Sequence, residues 1–275
     1  MGDTILNTIK KRRSIRNYQK KSLSEKDMTK VSKILEDVGN KVGPYSHSIR
    51  FFFVNNKTPE GKKMGTYGFI NNPPSFVGGV VKNNLEGMVD FGFLFEDVIL
   101  RLTKEELGTV WLGGTFTRSE FDVDCNKNEI IACVSPVGYA ASNMSLREKA
   151  IRKIANANNR KPFDELFFYG EEMKHVPNTH GFRKYLEAIQ LAPSASNKQP
   201  WRVIIEDDVF HFYLKRTKGY GDSLKMDIQA IDMGIALSHL YLSLNDDEIA
   251  CDFVNKKPYE IDETDYIISV SVYIG

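Results

Sequence analysis

Disulfide-forming cysteines and a strong net charge are both lacking in this sequence. Its 275 residues include three cysteines, Cys125, Cys133 and Cys251, which are odd in number and widely spaced. They form neither a disulfide framework nor a C-x-x-C motif, which predicts a reducing compartment. The 37 basic and 36 acidic residues leave a formal net charge of +1, so no overall basic field favours nucleic acid as a partner.

Long apolar runs and metal-ligand spacings are missing as well. No uncharged apolar segment approaches the roughly 18 residues that a membrane span requires. The N-terminus passes directly into a basic run at residues 10–13, unlike a signal peptide, and Leu6 departs from the myristoylation pattern. The five histidines show no ligand spacing on a predicted helix, so we expect no bound metal. The expectation is a soluble cytoplasmic protein of ordinary composition.

The strongest positive feature is an internal repeat of two apolar segments. Residues 89–107 and 231–249 align without gaps, so that Asp90 matches Asp232. Apolar residues recur in both segments at helical spacing and on more than one face, which predicts two long, well-buried helices. A repeat of this length points to duplication of a larger unit, in which the flanking segments should match as well.

Two further matches occur in the same order along the chain. Residues 129–138 and 266–275 are both rich in β-branched residues, which predicts a buried strand in each copy. A looser match pairs a helix, a loop and a strand in each copy: residues 27–38, 43–48 and 49–54 with residues 182–191, 192–200 and 201–206.

Each copy therefore contains a helix, a loop, two strands, a long helix and a final strand. This order predicts the α+β class, with a central mixed or antiparallel sheet flanked by helices. We divide the chain into residues 1–170 and 171–275, with the two halves intertwined. Chance similarity between amphipathic helices is the alternative to duplication. The copies are not equivalent, since a basic motif occurs only in the first and a polar loop mainly in the second.

The basic motif near the N-terminus is the first candidate for ligand binding. Arg12, Arg13 and Arg16 accompany Ser14 within five residues. Guanidinium groups bind phosphate oxygens through paired hydrogen bonds, so this spacing is typical of a phosphate clamp. The alternative is a solvated basic stretch that attracts polyanions weakly.

Two loops are the other candidates. Residues 192–201, APSASNKQPW, follow a helix that Pro193 ends, and they offer amide and hydroxyl groups to the polar edge of a flat heterocycle. The alternative is a helix stop anchored in the core by Trp201. Residues 108–116, GTVWLGGTF, contain paired glycines that let the backbone approach a ligand, or that merely form a turn.

Together with SPVGY at residues 135–139 and RKP at residues 160–162, these motifs resemble the nitroreductase family. Members of that family are intertwined homodimers that bind FMN at the subunit interface. Their A-P-S loop follows the arginine motif within a few tens of residues, whereas here it occurs only in the second copy. The chain therefore resembles the fused pseudo-dimer variant of the family, a monomer that acts as a pseudo-dimer and that could associate further.

The resemblance implies FMN contacts from both halves. The first half would supply Arg12, Arg13, Ser14, Arg16, Leu112, Gly113, Gly114 and Arg160, and the second Pro193, Ser194, Ala195, Asn197 and Gln199. In this assignment Arg12, Arg16 and Arg160 hold the phosphate. The second potential site lacks clustered arginines and a counterpart of Arg160, so we expect one FMN per chain.

The activity implied by the resemblance is electron transfer from NADH or NADPH, through FMN, to a nitroaromatic, quinone or similar acceptor. The flavin carries the chemistry, which agrees with the lack of a conspicuous catalytic acid or nucleophile. No G-x-G-x-x-G follows a predicted strand, so a Rossmann site is not expected. Tyr67, Phe69 and Phe76 are candidates for either the substrate-side wall or the core.

Two other interpretations remain open at this point. The first is a flavin-binding protein without turnover. The second is a nucleic-acid-binding module that uses residues 10–16, KKRRSIR, although near-neutral total charge and the absence of interleaved aromatic residues disfavour it. We expect a small-molecule acceptor as partner, and neither nucleic acid nor a membrane.

Overall fold

The computed structural model describes residues 4–55, 66, 68–142, 159–255 and 257–273. Its helices are α1 (Ile5–Lys11), α2 (Glu25–Gly39), α3 (Leu85–Lys104), α4 (Phe163–Leu166), α5 (Arg183–Gln190) and α6 (Ile228–Asp246). Its strands are β1 (Arg50–Asn55), β2 (Ser75–Lys82), β3 (Gly108–Thr109), β4 (Glu129–Gly138), β5 (Phe167–Tyr169), β6 (Lys174–His175), β7 (Trp201–Glu206), β8 (Val209–Leu214), β9 (Ala250–Val254) and β10 (Asp265–Tyr273). The predicted helices and strands of both copies are present, and the α+β class is confirmed.

The strands form two sheets, in the orders β1-β2-β4-β3 and β6-β5-β7-β8-β10-β9. All pairs are antiparallel except β5 and β7, which are parallel. The strands expected in one central sheet are thus divided between two. The physical reason is that each long helix packs on the strands of its own half: α3 contacts β2 and β3, and α6 contacts β7, β8 and β9.

One segment of the first predicted half joins the sheet of the second half. Strand β5 (Phe167–Tyr169) pairs with β7, placing Phe167 opposite Val203. Phe167 and Val203 are both fully buried, so this pairing lies in the main core. The domain boundary at residue 170 stays a prediction, but the chain clearly crosses from one sheet to the other just before it.

Helices α3 and α6 cross in direct backbone contact. A Cβ atom added at Gly92 would lie 2.1 Å from the carbonyl oxygen of Ile231, and one added at Gly234 would lie 2.0 Å from that of Val89. These contacts are reciprocal in the repeat, because Gly92 aligns with Gly234 and Val89 with Ile231. Only glycine allows this separation, so the crossing has local twofold pseudo-symmetry fixed by two glycines.

A buried polar network also joins the two helices. Glu96 Oε1 lies 3.0 Å from His239 Nε2, and both side chains are fully buried. Trp111 Nε1 donates to Glu96 Oε2 at 2.8 Å, and His239 Nδ1 lies 2.8 Å from the carbonyl oxygen of Ala188. Buried polar groups are tolerated when they are hydrogen-bonded, and breaking such a pair is strongly destabilising. The network therefore fixes Trp111 against the helix pair.

In the part of the chain that the structure describes, no helix combines the length and apolar character needed to cross a membrane. The apolar faces of the long helices are instead covered by protein, since the core cluster includes residues of α3, α6 and both sheets.

Replacing either crossing glycine by alanine should destabilise the protein. We expect Gly92→Ala and Gly234→Ala each to lower the free energy of unfolding by about 3 kcal/mol, because the new methyl group overlaps a backbone oxygen and the helices must separate. Gly181→Ala is the control, since a Cβ at Gly181 would meet no atom within 4 Å. Denaturant unfolding of the three variants measures the difference, and equal stabilities would contradict the proposed contact.

Candidate functional site

A cavity of about 310 Å³ lies between the two halves and is lined by residues of both. All but two of the binding residues expected from the sequence line it, namely Arg12, Ser14, Arg16, Leu112, Gly113, Gly114, Arg160, Pro193, Ser194, Ala195 and Asn197. Residues distant in sequence are therefore gathered around one space of the size of a small-molecule site.

The basic motif reaches the cavity because the chain leaves α1 in an extended path. Arg12 is the C-cap of α1, and its N–H donates to the carbonyl oxygen of Thr8 at 2.9 Å. Ile15 N then donates to Thr109 O at 2.8 Å, in a short parallel bridge beside β3. This bridge sets Arg12 and Arg16 next to the glycine segment that follows β3.

The glycine segment accommodates side chains of the second half. Leu112 pairs with Val134 through two backbone hydrogen bonds of 2.9 and 3.0 Å. A Cβ added at Gly113 would lie 2.8 Å from Ile228, and one added at Gly114 would lie 2.9 Å from Leu224. Both glycines thus lie close to terminal methyl groups of the second half, beside the cavity that Ile228 also lines.

The polar loop after α5 is held in a strained backbone conformation. Ser196, Asn197 and Gln199 have φ angles of 47°, 57° and 48°. Such left-handed conformations are uncommon for residues other than glycine, and they cluster at ligand sites. Ser194 stabilises the turn, because its Oγ accepts a hydrogen bond from Gln199 N at 2.9 Å. The loop therefore ends α5 and also holds its polar groups in a fixed conformation beside the cavity.

Arg160 connects the polar loop to the basic motif. Its Nη1 donates to Asn197 Oδ1 at 3.3 Å and its Nη2 to the carbonyl oxygen of Leu191 at 3.2 Å. Asn197 Nδ2 in turn donates to Asn159 O at 2.8 Å. Burial, and then the neighbouring charge of Arg12, lower the pKa of Arg160 from its ordinary value. Two guanidinium groups that line the same cavity are thus close enough to affect one another, an arrangement that favours the binding of an anion.

Gln199 does not line the cavity but hydrogen-bonds to Asn197, which does, and to Lys161, which follows a lining residue. It is 3% exposed, and its Oε1 accepts a hydrogen bond from Lys161 N at 2.8 Å while Nε2 donates to Asn197 O at 3.2 Å. Gln199 therefore joins the polar loop to the segment that carries Arg160. Arg13, the other expected residue outside the lining, follows Arg12 directly along the chain.

Further basic groups surround Gln199. Arg202 Nη1 donates to Gln199 O at 3.3 Å. Burial lowers the pKa of Lys161, and the charge of Arg202 lowers it further. Glu165 lies 3.8 Å from Lys161 and offsets part of this charge. The outer side of the loop is therefore basic as well.

The family follows from a comparison with known proteins. The model of the family described as "Putative TM nitroreductase" matches residues 4–244. The chain belongs to this nitroreductase family. No curated protein sequence matches the chain. The resemblance drawn from the sequence motifs is thereby confirmed, and with it an oxidoreductase family.

One of three solved structures similar to this chain shows the same fold. A putative nitroreductase from Thermotoga maritima is 18% identical with a TM-score of 0.61, over 98% of this chain and 93% of that one. A nitroreductase family protein from Clostridium difficile is 20% identical with a TM-score of 0.42, over 60% and 96%. An FMN-dependent nitroreductase from the same species is 19% identical with a TM-score of 0.37, over 50% and 88%. The first establishes a nitroreductase fold, and the other two are too distant to inform the site.

Several residues that line the cavity were not expected from the sequence. Asp232, Ile231 and Ile235 of α6 line the cavity, although Asp232 was singled out only as a repeat position. Tyr220 also lines it, and its hydroxyl donates to Ser196 Oγ at 2.9 Å. No sequence signal marks Tyr220, because its loop meets the polar loop only in three dimensions.

The aromatic candidates for the wall differ in their positions. Phe69 lines the cavity, whereas Phe76 is fully buried in a core cluster with Phe121. Tyr67 lies outside the described residues. Within the described ranges, no three His, Cys, Asp or Glu side chains gather in a possible metal-binding group.

Substitution of Asn197 tests how the loop is held. We expect Asn197→Ala to lower the free energy of unfolding by about 2 kcal/mol, because it removes hydrogen bonds to Asn159 and Arg160 and keeps an unfavourable φ. Asn197→Gly is the matched variant: it loses the same bonds but adopts the left-handed conformation freely, so we expect about half that loss. Thermal and denaturant unfolding measure both. An equal loss in the two variants would show that backbone strain contributes nothing.

Proposed function

We propose that this protein is an FMN-dependent oxidoreductase that transfers electrons from NADH or NADPH to a nitroaromatic, quinone or similar acceptor. One observation carries the proposal: a single cavity brings the arginines of the first half together with the polar loop of the second. Neither half could form this site alone. The fold and the family agree with a flavoprotein of this kind, and an FMN-dependent nitroreductase is among the distant structural matches.

The chemistry of the lining fits FMN. Arg12, Arg16 and Arg160 would hold the phosphate, since guanidinium groups bind phosphate oxygens with favourable geometry. The loop at residues 194–197 and the backbone near Gly113 would hydrogen-bond the polar parts of the cofactor. Ile231 and Ile235 supply apolar wall for a flat ring. A cavity of about 310 Å³ lies within the range of small-molecule sites.

The protein's part in the reaction is to bind and orient. FMN, when bound, supplies the chemistry by accepting a hydride from NADH or NADPH and passing electrons to the acceptor. The paired charges of Arg12 and Arg160 fix the phosphate, and the strained loop presents its groups in a set orientation. The apolar side chains of α6 keep water from one wall of the cavity. No protein acid or nucleophile is required.

We propose that each chain binds one FMN and acts as a pseudo-dimer in a single polypeptide. The repeat counterpart of one cavity wall carries a larger side chain. Phe93, which aligns with Ile235, packs edge-on against Tyr241 and Phe253 with ring centroids 5.3 and 5.4 Å away. An aromatic ring thus stands in the first copy where the second has the isoleucine that lines the cavity, which supports a single FMN site.

Reconstitution tests the proposed activity. The protein is loaded with excess FMN, desalted, and mixed with NADH or NADPH in the absence of oxygen. We expect about one FMN per chain by absorbance and bleaching of the flavin band. A retained flavin that stays oxidised with either nucleotide would instead indicate a carrier. Loss of all flavin on desalting, with no binding in titration, would reject FMN as the ligand.

Two arginines should govern cofactor affinity and a third should not. We expect Arg12→Gln and Arg160→Gln each to weaken FMN binding about tenfold or more, because each removes a charge-assisted hydrogen bond to phosphate. Arg13→Gln is the matched control, since Arg13 is adjacent in sequence but does not line the cavity. Fluorescence titration with FMN measures the three affinities. Equal affinities in all three would contradict the assigned phosphate site.

A further inference from the structure

Asp232 is a buried carboxyl group with one oxygen unused by the protein. It lies in the first turns of α6, is 2% exposed and lines the cavity. Its Oδ1 accepts a hydrogen bond from Ala195 N at 2.9 Å. Its Oδ2 is buried and has no hydrogen-bond partner among the described residues. Buried polar atoms are nearly always paired, so an unpaired one in a cavity wall points to a ligand.

The repeat supplies an internal comparison. Asp90 aligns with Asp232 and makes the equivalent contact, because its Oδ1 accepts from Tyr45 N at 2.9 Å. Its Oδ2 is also satisfied, by His47 N and by His47 Nδ1, each at 2.9 Å. Both loops have the same left-handed serine, with φ 66° at Ser46 and 47° at Ser196. The two carboxyl groups thus share a backbone role and differ only at the second oxygen.

The difference arises from the residue after that serine. In the first copy this residue is His47, whose backbone N and ring Nδ1 both contact Asp90 Oδ2. In the second it is Asn197, whose amide is engaged with Asn159 and Arg160 instead. The second oxygen of Asp232 therefore has no partner beside the loop that lines the cavity, whereas the second oxygen of Asp90 is bonded within the equivalent loop, which does not line the cavity.

The surroundings favour the neutral form of Asp232. Burial raises the pKa of the Asp232 carboxyl well above its ordinary range; the hydrogen bond from Ala195 N lowers it in part, and the charge of Asp227 raises it further. Cys133 and Tyr220 also interact with this carboxyl group. Asp227, Cys133 and Tyr220 are all acids, so none of them provides the positive charge that a buried carboxylate needs. A neutral carboxyl group has a proton to donate.

We propose that Asp232 is a ligand-binding residue whose Oδ2–H donates a hydrogen bond to the flavin in the cavity. The proposal rests on FMN being the ligand, and it assigns to Asp232 a role that its counterpart Asp90 lacks.

Variants at the two aspartates test the assignment. Asp232→Asn keeps an acceptor for Ala195 N and a donor at the second position, so we expect FMN affinity within about threefold of the original. Asp232→Ala removes the donor, and we expect affinity to fall about tenfold. Asp90→Asn is the matched control, with stability reduced through His47 but FMN affinity unchanged. Fluorescence titration gives affinity, and circular dichroism confirms that each variant is folded.

Two further measurements separate ligand binding from a purely structural role. In infrared difference spectra, FMN addition should shift the stretch of a protonated carboxyl group, and this band should be missing in Asp232→Asn. Affinity should also fall with rising pH more steeply in the original protein than in Asp232→Asn, since ionisation removes the donated proton. If the original protein binds FMN but the band is absent or unshifted, Asp232 has no such role. If it does not bind FMN at all, the proposed function itself fails.

Discussion

The contact between α3 and α6 is the constraint on which the remaining structure depends. At Gly92 and Gly234 the helix backbones touch, and reciprocal carbonyl contacts at Val89 and Ile231 make the crossing pseudo-symmetric. A larger residue at either glycine would force the helices apart. The cavity would then change as well, because Ile231 and its neighbours on α6 form one wall while the segment after α3 forms another.

Pseudo-symmetry of the scaffold does not extend to the two half-sites. The loops have the same backbone form and each is held by an aspartate on a long helix. Phe93 of the first half packs against Tyr241 and Phe253 of the second, whereas Ile235, its counterpart in the repeat, lines the cavity. A few side-chain volumes therefore decide between packed core and cavity, since interiors are close-packed and a large ring leaves no room for a ligand.

The electrostatics of the cavity have the same asymmetric origin. Arg12 comes from one end of the first half and Arg160 from the other, and folding brings their like charges together. Like charges held close together in a cavity wall are typical of anion-binding sites, which is why we interpret this pair as a functional feature. The extended path after α1 and the bond between Arg160 and Asn197 hold both groups in place.

The sequence by itself predicted the repeat, located the two long helices to within about four residues, and identified the family. It did so because apolar periodicity and the motifs RRSIR, APSASNKQPW and GTVWLGG are local features of the chain. Only the tertiary structure decided that the strands form two sheets and that β5 crosses between them. The tertiary structure alone also decided that Tyr220 lines the cavity and that Gln199 lies outside its lining. It alone showed that Oδ2 of Asp232 has no hydrogen-bond partner among the described residues. These depend on which side chains meet after folding, and spacing along a chain does not encode that.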